Sequence, residues 1–94
     1  MQRILGAFAE HGALTGSQLQ ELVESVLETD AIYLCTLPKR VTGGDFLFAR
    51  ERSLRACVGF ARRILKHSGK ILMSSRRSKR RGDKVVTEFS YWTI

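Results

Sequence analysis

The sequence predicts a small α+β domain, with helices in its first two thirds and a β-hairpin at its C-terminal end. Apolar residues recur at helical spacing in three segments, about 2–11, 16–28 and 53–68. Residues typical of strands dominate two later segments, about 70–75 and 84–94, with a turn signal at Gly82-Asp83 between them. The 94 residues predict one domain, 1–94, with a small but real core.

The second helix has the clearest local signals. Thr15 followed by Gln18 fits a capping box, and Leu14 and Leu19 stand at the positions of a hydrophobic staple. An apolar stripe then continues to Leu27, opposite glutamates and other polar residues. We therefore predict a helix from about residue 16 to residue 28.

The segment 29–49 allows two interpretations. Its first part, 31–37, is rich in strand-forming residues and ends at Pro38, so it fits either a strand or a short buried helix. Lys39 to Gly44 is typical of a turn or loop, and Asp45 starts a short helix or a strand. A hairpin needs a third strand for stability, and this segment is one candidate source of it.

The third helix, 53–68, is amphipathic with a cationic outer face. At about 100° per residue, one arc collects its apolar side chains, among them Leu54, Cys57, Phe60 and Ile64. The opposite arc holds four cations and a glycine: Arg55, Gly59, Arg62, Arg63 and Lys66. A glycine at that position weakens the helix but permits a close approach to its backbone.

Positive charge is concentrated in one third of the chain. The formal net charge is +7, yet residues 1–49 carry a net charge of −3, and residues 50–84 carry 13 basic against 2 acidic side chains. Most of these cations are arginines, whose planar guanidinium suits phosphate and guanine edges. This asymmetry favours a polyanionic partner over a merely solvated charged face.

The sequence shows no pattern typical of a catalytic site, a metal site or a membrane-spanning segment. The histidines and cysteines (His11, Cys35, Cys57 and His67) lack the close spacing of a metal clamp, and no phosphate-binding glycine loop occurs. We expect no enzyme activity, no metal, no cofactor and no small-molecule ligand. No apolar stretch approaches a membrane span, and the start does not fit a secretory signal. With two reduced thiols, we expect a cytoplasmic or nucleoid-associated protein.

The order of helices, a cationic helix and a basic hairpin resembles the winged helix-turn-helix family of DNA-binding proteins. The resemblance is strongest over 53–94, where the run from Leu54 through Arg62-Arg63-Ile64-Leu65-Lys66-His67-Ser68-Gly69-Lys70-Ile71 looks like a recognition helix that feeds a first wing strand. Arg76 to Lys84 looks like the wing tip, and Val85 to Ile94 like the returning strand. The resemblance implies a helix in the DNA major groove and a wing on the flanking backbone or minor groove.

From this resemblance we expect a protein that binds double-stranded DNA in a sequence-specific manner, most simply a transcription regulator. We expect Arg55, Arg62 and Arg63 to contact base edges, with Gly59 allowing close approach. Phosphates are expected to contact Arg50, Arg52 and Lys66. The predicted wing contacts are Arg76, Arg77, Lys79, Arg80, Arg81 and Lys84. For Phe89, Tyr91 and Trp92, packing of the hairpin is favoured over stacking on bases.

Two other functions remain open at this point. A small basic domain can inhibit or adapt by docking on an acidic protein surface, and basic loops with aromatic residues also serve RNA binding. The acidic, apolar N-terminal helices offer a face for a homodimer, which would pair DNA half-sites about one turn apart.

Overall fold

A computed structural model describes residues 2–94 of the chain. Two helices and a short strand come first, in the order α1 (Gln2–His11), β1 (Ala13–Thr15) and α2 (Gly16–Thr29). Three single turns follow: α3 (Ala31–Leu34), α4 (Lys39–Thr42) and a 3₁₀ turn (Gly44–Phe48). The last elements are α5 (Leu54–His67), β2 (Leu72–Arg81) and β3 (Lys84–Thr93). The α+β class is confirmed, with helices followed by a C-terminal antiparallel hairpin.

The three long helices lie where the sequence predicts them. At the start of α2, the Thr15 hydroxyl accepts a hydrogen bond from the backbone N–H of Gln18 at 3.2 Å. The Gln18 amide oxygen in turn accepts from the backbone N–H of Thr15 at 2.9 Å, which completes the capping box. Leu14 and Leu19 are both buried. Local signals were therefore sufficient to place this helix.

The third strand of the sheet does not come from segment 29–49, so the short buried helix is the interpretation that applies to its first part. The strand is β1, which pairs antiparallel with residues 90–92 and gives the sheet order β1-β3-β2. Residues 31–34 form one helical turn, which buries Leu34 in the core. Gly12, with a φ of 74°, turns the chain from α1 directly into β1.

The hairpin is longer than predicted, because Arg76 to Arg81 form a strand and not a loop. Strand β2 pairs with β3 without interruption from Leu72 opposite Thr93 to Arg81 opposite Lys84. Only Gly82-Asp83 form the turn, and the φ of 61° at Gly82 fits a two-residue turn with glycine first. The strand-forming residues of β3 thus impose extended structure on a partner of low intrinsic strand preference.

The core lies between the helices and one face of the sheet. Helix α5 contributes most to it, with Cys57, Phe60, Ala61, Ile64 and Leu65 all buried. The sheet adds Leu14, Leu72 and Tyr91 from its inner face. Within residues 2–94, no helix is both long and apolar enough to cross a bilayer.

The two cysteines are both free, and only one of them lies in the core. Cys35 is exposed, whereas Cys57 is completely buried. Burial raises the pKa of the Cys57 thiol, with a smaller contribution from the negative charge of Glu24 and an opposing one from Arg52. Cys57 therefore behaves as a small apolar core residue.

Replacement of the capping hydroxyl tests the start of α2. Thr15→Ala removes the acceptor for the N–H of Gln18, so we expect a loss of about 1 kcal/mol in the free energy of unfolding. Urea denaturation followed by circular dichroism measures it. Ser17→Ala, at an exposed position in the same helical turn, is the control. Equal stabilities of the two variants would contradict the capping role.

Candidate nucleic-acid interface

Helix α5 is anchored in the domain chiefly through its apolar arc. Its N-terminus is capped by Ser53, whose hydroxyl accepts from the backbone N–H of Ala56 at 3.2 Å. Its five buried residues lie on the predicted apolar arc and pack in the core, chiefly against α2. Because the helix is anchored along this arc, its opposite side has to face solvent.

The exposed side of α5 carries a single row of residues, which we call the α5 stripe: Arg55, Gly59, Arg62 and Lys66. The three cations are exposed, and Gly59 is partly buried between them. The spacing of four, three and four residues keeps all four on one face over about three helical turns. The stripe thus presents positive charge on both sides of Gly59, where an added Cβ would lie 3.5 Å from Nη1 of Arg63.

Arg63 lies on the predicted cationic arc, but the structure turns its guanidinium toward α4. Its Nε donates to the carbonyl oxygen of Val41 at 3.1 Å, and Nη2 donates to that of Thr42 at 3.5 Å. Carbonyls at the end of a helix lack partners within the helix, so an arginine there satisfies them. Burial lowers the pKa of the Arg63 guanidinium below its ordinary value. Arg63 is a positioning residue rather than a solvent-facing one.

The position of Gly43 depends on this contact. Its φ of 83° is in the left-handed region, and a Cβ there would collide with the Arg63 guanidinium. A glycine at this position therefore allows the left-handed backbone that ends α4, and it leaves room for the Arg63 guanidinium.

Arg52 is likewise engaged by the fold. Its Nε donates to the carbonyl oxygen of Ala49 at 3.1 Å, and Nη2 donates to that of Leu47 at 3.3 Å. Its own carbonyl accepts from the Gln20 side chain at 2.8 Å, which ties the segment before α5 to α2. Arg50, two residues earlier, is exposed. Of the six cations predicted on and before α5, four face solvent and two hold backbone.

The hairpin extends from the core as a basic ribbon. Every residue from Met73 to Phe89 is exposed, and the molecule reaches 48 Å along its longest axis. Side chains alternate between the two faces of a strand. Arg76 and Arg80 therefore share the face of Leu72 and Tyr91, the inner face of the sheet. The opposite face carries the remaining predicted wing cations, Arg77, Lys79, Arg81 and Lys84.

One acidic residue lies among the cations in the paired part of the ribbon. Glu88 stands opposite Arg77 in the register and forms an ion pair with Lys79 at 3.7 Å. Both side chains of the pair are about half exposed, at 51% and 47%, so solvent screens the attraction. The ribbon keeps a clear excess of positive charge.

A groove separates α5 from the base of the ribbon. The α5 side is formed by Leu54, Val58 and Gly59 with two cations of the stripe, and the ribbon side by Ser74, Phe89 and Tyr91. Tyr91 is buried, whereas Phe89 is 38% exposed, and their rings stack with centroids 6.4 Å apart. From the sequence, packing is favoured over base stacking for Phe89 and Tyr91, and strand alternation places both side chains on this one face.

Arg62 lies near the phenol of Tyr91, on the other side of this groove. Burial raises the pKa of Tyr91 above its ordinary value, and the positive charge of Arg62 partly opposes that rise. Elsewhere in residues 2–94, no cluster of three or more His, Cys, Asp or Glu side chains is placed to hold a metal ion.

Loss of the Arg63 contact tests its positioning role. Arg63→Met keeps the aliphatic stem but removes both hydrogen bonds to α4, so we expect a loss of about 1–2 kcal/mol in the free energy of unfolding. Arg55→Met, which removes an exposed cation from the same helix, is the control, with an expected change within about 0.5 kcal/mol. Urea unfolding measures both. An equal loss in the two variants would rule out the α4 contact.

The pKa of Tyr91 reports on the position of Arg62. Arg62→Ala removes the charge that lowers this pKa, so the pKa is expected to rise further. An absorbance titration in a Tyr33→Phe background isolates Tyr91, since the chain has two tyrosines. Because folding raises the Tyr91 pKa, its contribution to stability is present below the unfolded value and is lost as pH rises through the folded one. Arg77→Ala, on the other face of the ribbon, is the control. An unchanged or lower pKa in Arg62→Ala would contradict the geometry.

Comparison with known proteins identifies no relative. No family model, no curated protein and no solved structure matches the chain. Any assignment of function therefore depends on the placement and charge of the residues described above.

Proposed function

We propose that this protein binds double-stranded DNA through the α5 stripe and the basic ribbon. The observation that carries the proposal is their combination: the exposed side of an anchored helix carries Arg55, Arg62 and Lys66 in one row, and the ribbon beside it carries six further cations. Either feature alone fits a solvated surface. Together they place positive charge on two adjoining elements, which suits a polyanion.

Helix α5 has the dimensions and exposure that major-groove binding requires. Its 14 residues span about 21 Å, and a B-DNA major groove, about 12 Å wide, admits a helix. Arg55 and Arg62 flank Gly59, where the missing side chain lets the helix backbone approach the DNA. These two arginines are the proposed contacts to base edges, for which a guanidinium makes bidentate hydrogen bonds.

The remaining exposed cations are assigned to the DNA backbone. Lys66 and Arg50 lie toward the two ends of α5 and are proposed to contact phosphates. The ribbon is proposed to follow the flanking backbone or minor groove, led by Arg76 and Arg80, which share the sheet face that packs on the domain. On this proposal Arg52 and Arg63 position the helix and are not assigned direct contacts, because their guanidinium groups bond to backbone carbonyls.

The arrangement of elements also supports the winged helix resemblance as a proposal. A short β1 between the first two helices joins the C-terminal hairpin in a three-stranded sheet, and the basic helix directly precedes the hairpin. On this proposal the protein is a sequence-specific regulator of transcription.

A salt series with fluorescently labelled nucleic acids tests the proposal. We expect duplex DNA to bind more tightly than single-stranded DNA or structured RNA. The slope of log K against log salt should be about −4.5 to −7, which corresponds to about 5–8 neutralised phosphates. Fluorescence anisotropy provides both values. If structured RNA binds more tightly than duplex DNA, the ligand of this surface is RNA and the DNA proposal is wrong. A dissociation constant for duplex DNA no lower than about millimolar at low salt would indicate a protein partner instead.

Substitutions separate base contacts from phosphate contacts. Arg62→Ala is expected to cost about 1–3 kcal/mol on a selected site and to relax sequence preference, whereas Arg80→Ala should lower the salt slope by about 1 on all duplexes. Arg3→Gln is the matched control, since it removes one positive charge at a site whose hydrogen-bond partners lie on α2. An Arg62→Ala variant that binds like the control would contradict the role of the stripe.

A further inference from the structure

Each of the two strands of the ribbon has an open edge, and the two edges differ in charge. Strand β3 pairs with β1 only over residues 90–92, so the edge of β3 from Lys84 to Phe89 is uncovered. Strand β2 is the outer strand of the sheet and is open along its whole length. An open edge presents unpaired backbone groups that another strand can bind.

The backbone groups that face outward on β3 can be identified from the pairing. Ile71 and Ile94 exchange both N–H···O hydrogen bonds, each at 3.1 Å, so this is a hydrogen-bonded pair of the β2–β3 ladder. In an antiparallel ladder such pairs alternate. The even-numbered residues of β3 therefore bond to β2, and the backbone groups of Val85, Thr87 and Phe89 point to the open edge.

Charge distinguishes the two edges. From Arg76 to Arg81, β2 carries five cations, which would be brought against one another if two copies paired through this edge. From Lys84 to Phe89, β3 carries one cation and one anion, and its other side chains are two valines, a threonine and a phenylalanine. The β3 edge is therefore neutral and strand-forming, and β2 protects itself against self-pairing.

We propose that the β3 edge pairs antiparallel with the same edge of a second copy of this chain, with Val86 on the two-fold axis. In this register Lys84 stands opposite Glu88 of the second copy, and Glu88 opposite Lys84, which gives two opposite-charge pairs. Val85 and Thr87 face each other as two hydrogen-bonded pairs and make four backbone hydrogen bonds across the axis. Val86 is 38% exposed and meets its own copy, which is a favourable β-branched pair.

Neighbouring registers are less favourable for identifiable reasons. A shift by one pair toward the core would bring Lys84 of the second copy opposite Ser90, which is already paired with Thr15. A shift by one pair toward the turn places Val85 opposite Val85 of the second copy, which is then the one hydrogen-bonded pair between the two strands. In that register Lys84 and Glu88 no longer stand opposite each other. The self-complementary arrangement is of the kind that two-fold dimers require.

The resulting assembly is a four-stranded ribbon with a cationic β2 at each outer edge. Dimerisation therefore leaves the charges of β2 accessible. The proposal does not depend on DNA binding, since its hydrogen bonds and ion pairs involve protein alone.

Charge reversal with rescue tests the proposed pairing in the full chain. Sedimentation equilibrium from about 5 µM to about 1 mM gives the dimer dissociation constant. We expect Lys84→Glu and Glu88→Lys each to raise this constant about tenfold or more, because each sets like charges against one another twice. The double variant should return within about threefold of the original value, since it restores both pairs in reversed order.

The two single variants change the net charge in opposite directions, so general repulsion cannot explain a loss in both. Lys79→Gln breaks the ion pair within the ribbon but leaves the proposed pairs intact, and it serves as the control. Circular dichroism establishes that each variant is folded. A chain that stays monomeric at the highest concentration, or a double variant without rescue, overturns the proposal.

Amide hydrogen exchange tests the backbone pairing without substitution. The amides of Val85 and Thr87 should exchange at least about tenfold more slowly at concentrations where the dimer forms. The amide of Val86, which bonds to β2 in the monomer, should change far less. Equal protection of all three amides at every concentration would place the dimer contact elsewhere and overturn this pairing.

Discussion

The attachment of α5 through one apolar arc determines the rest of the molecular surface. Phe60, Ile64 and Leu65 are buried between α2 and the sheet, and this fixes the rotation of the helix about its axis. Rotation by one residue, about 100°, would carry a cation of the stripe into the core, where an unpaired charge costs several kcal/mol. The outward direction of Arg55, Arg62 and Lys66 is therefore a consequence of core packing. It needs no interaction of their own.

The segment between α2 and α5 stabilises this orientation from the side. Helix α4 and the 3₁₀ turn lie against one flank of α5, and arginines bond to the carbonyls at which these two turns end. Arg63 reaches the end of α4, and Arg52 reaches the end of the 3₁₀ turn. Both satisfy backbone acceptors that would otherwise need water. The cations of this region thus divide into those that bond to backbone carbonyls and those that face solvent.

Local sequence signals predicted the helices well, because helical periodicity and capping depend on residues close in sequence. The capping box of Thr15 and the apolar arc of α5 belong to this class. The errors concern contacts between distant segments. Ala13–Thr15 has no strand pattern of its own and becomes a strand only beside residues 90–92, while Arg76 to Arg81 become extended only beside β3. In the candidate site the same limit applies: a helical wheel shows which arc is polar, but not that α4 covers the flank on which Arg63 lies.

The ribbon illustrates how one charge pattern has two physical effects. Cations along β2 attract a polyanion and also repel the equivalent strand of another copy, so the longer open edge of the sheet does not need a covering element. The outward backbone groups of β3 have no such protection, since Lys84 and Glu88 cancel in charge and Val85 and Val86 favour strand pairing. An uncovered strand of this composition, in a ribbon that extends away from the core, is a template for another strand. The proposed two-fold pairing supplies that strand from a second copy of the chain, and the charge on β2 directs the pairing to β3.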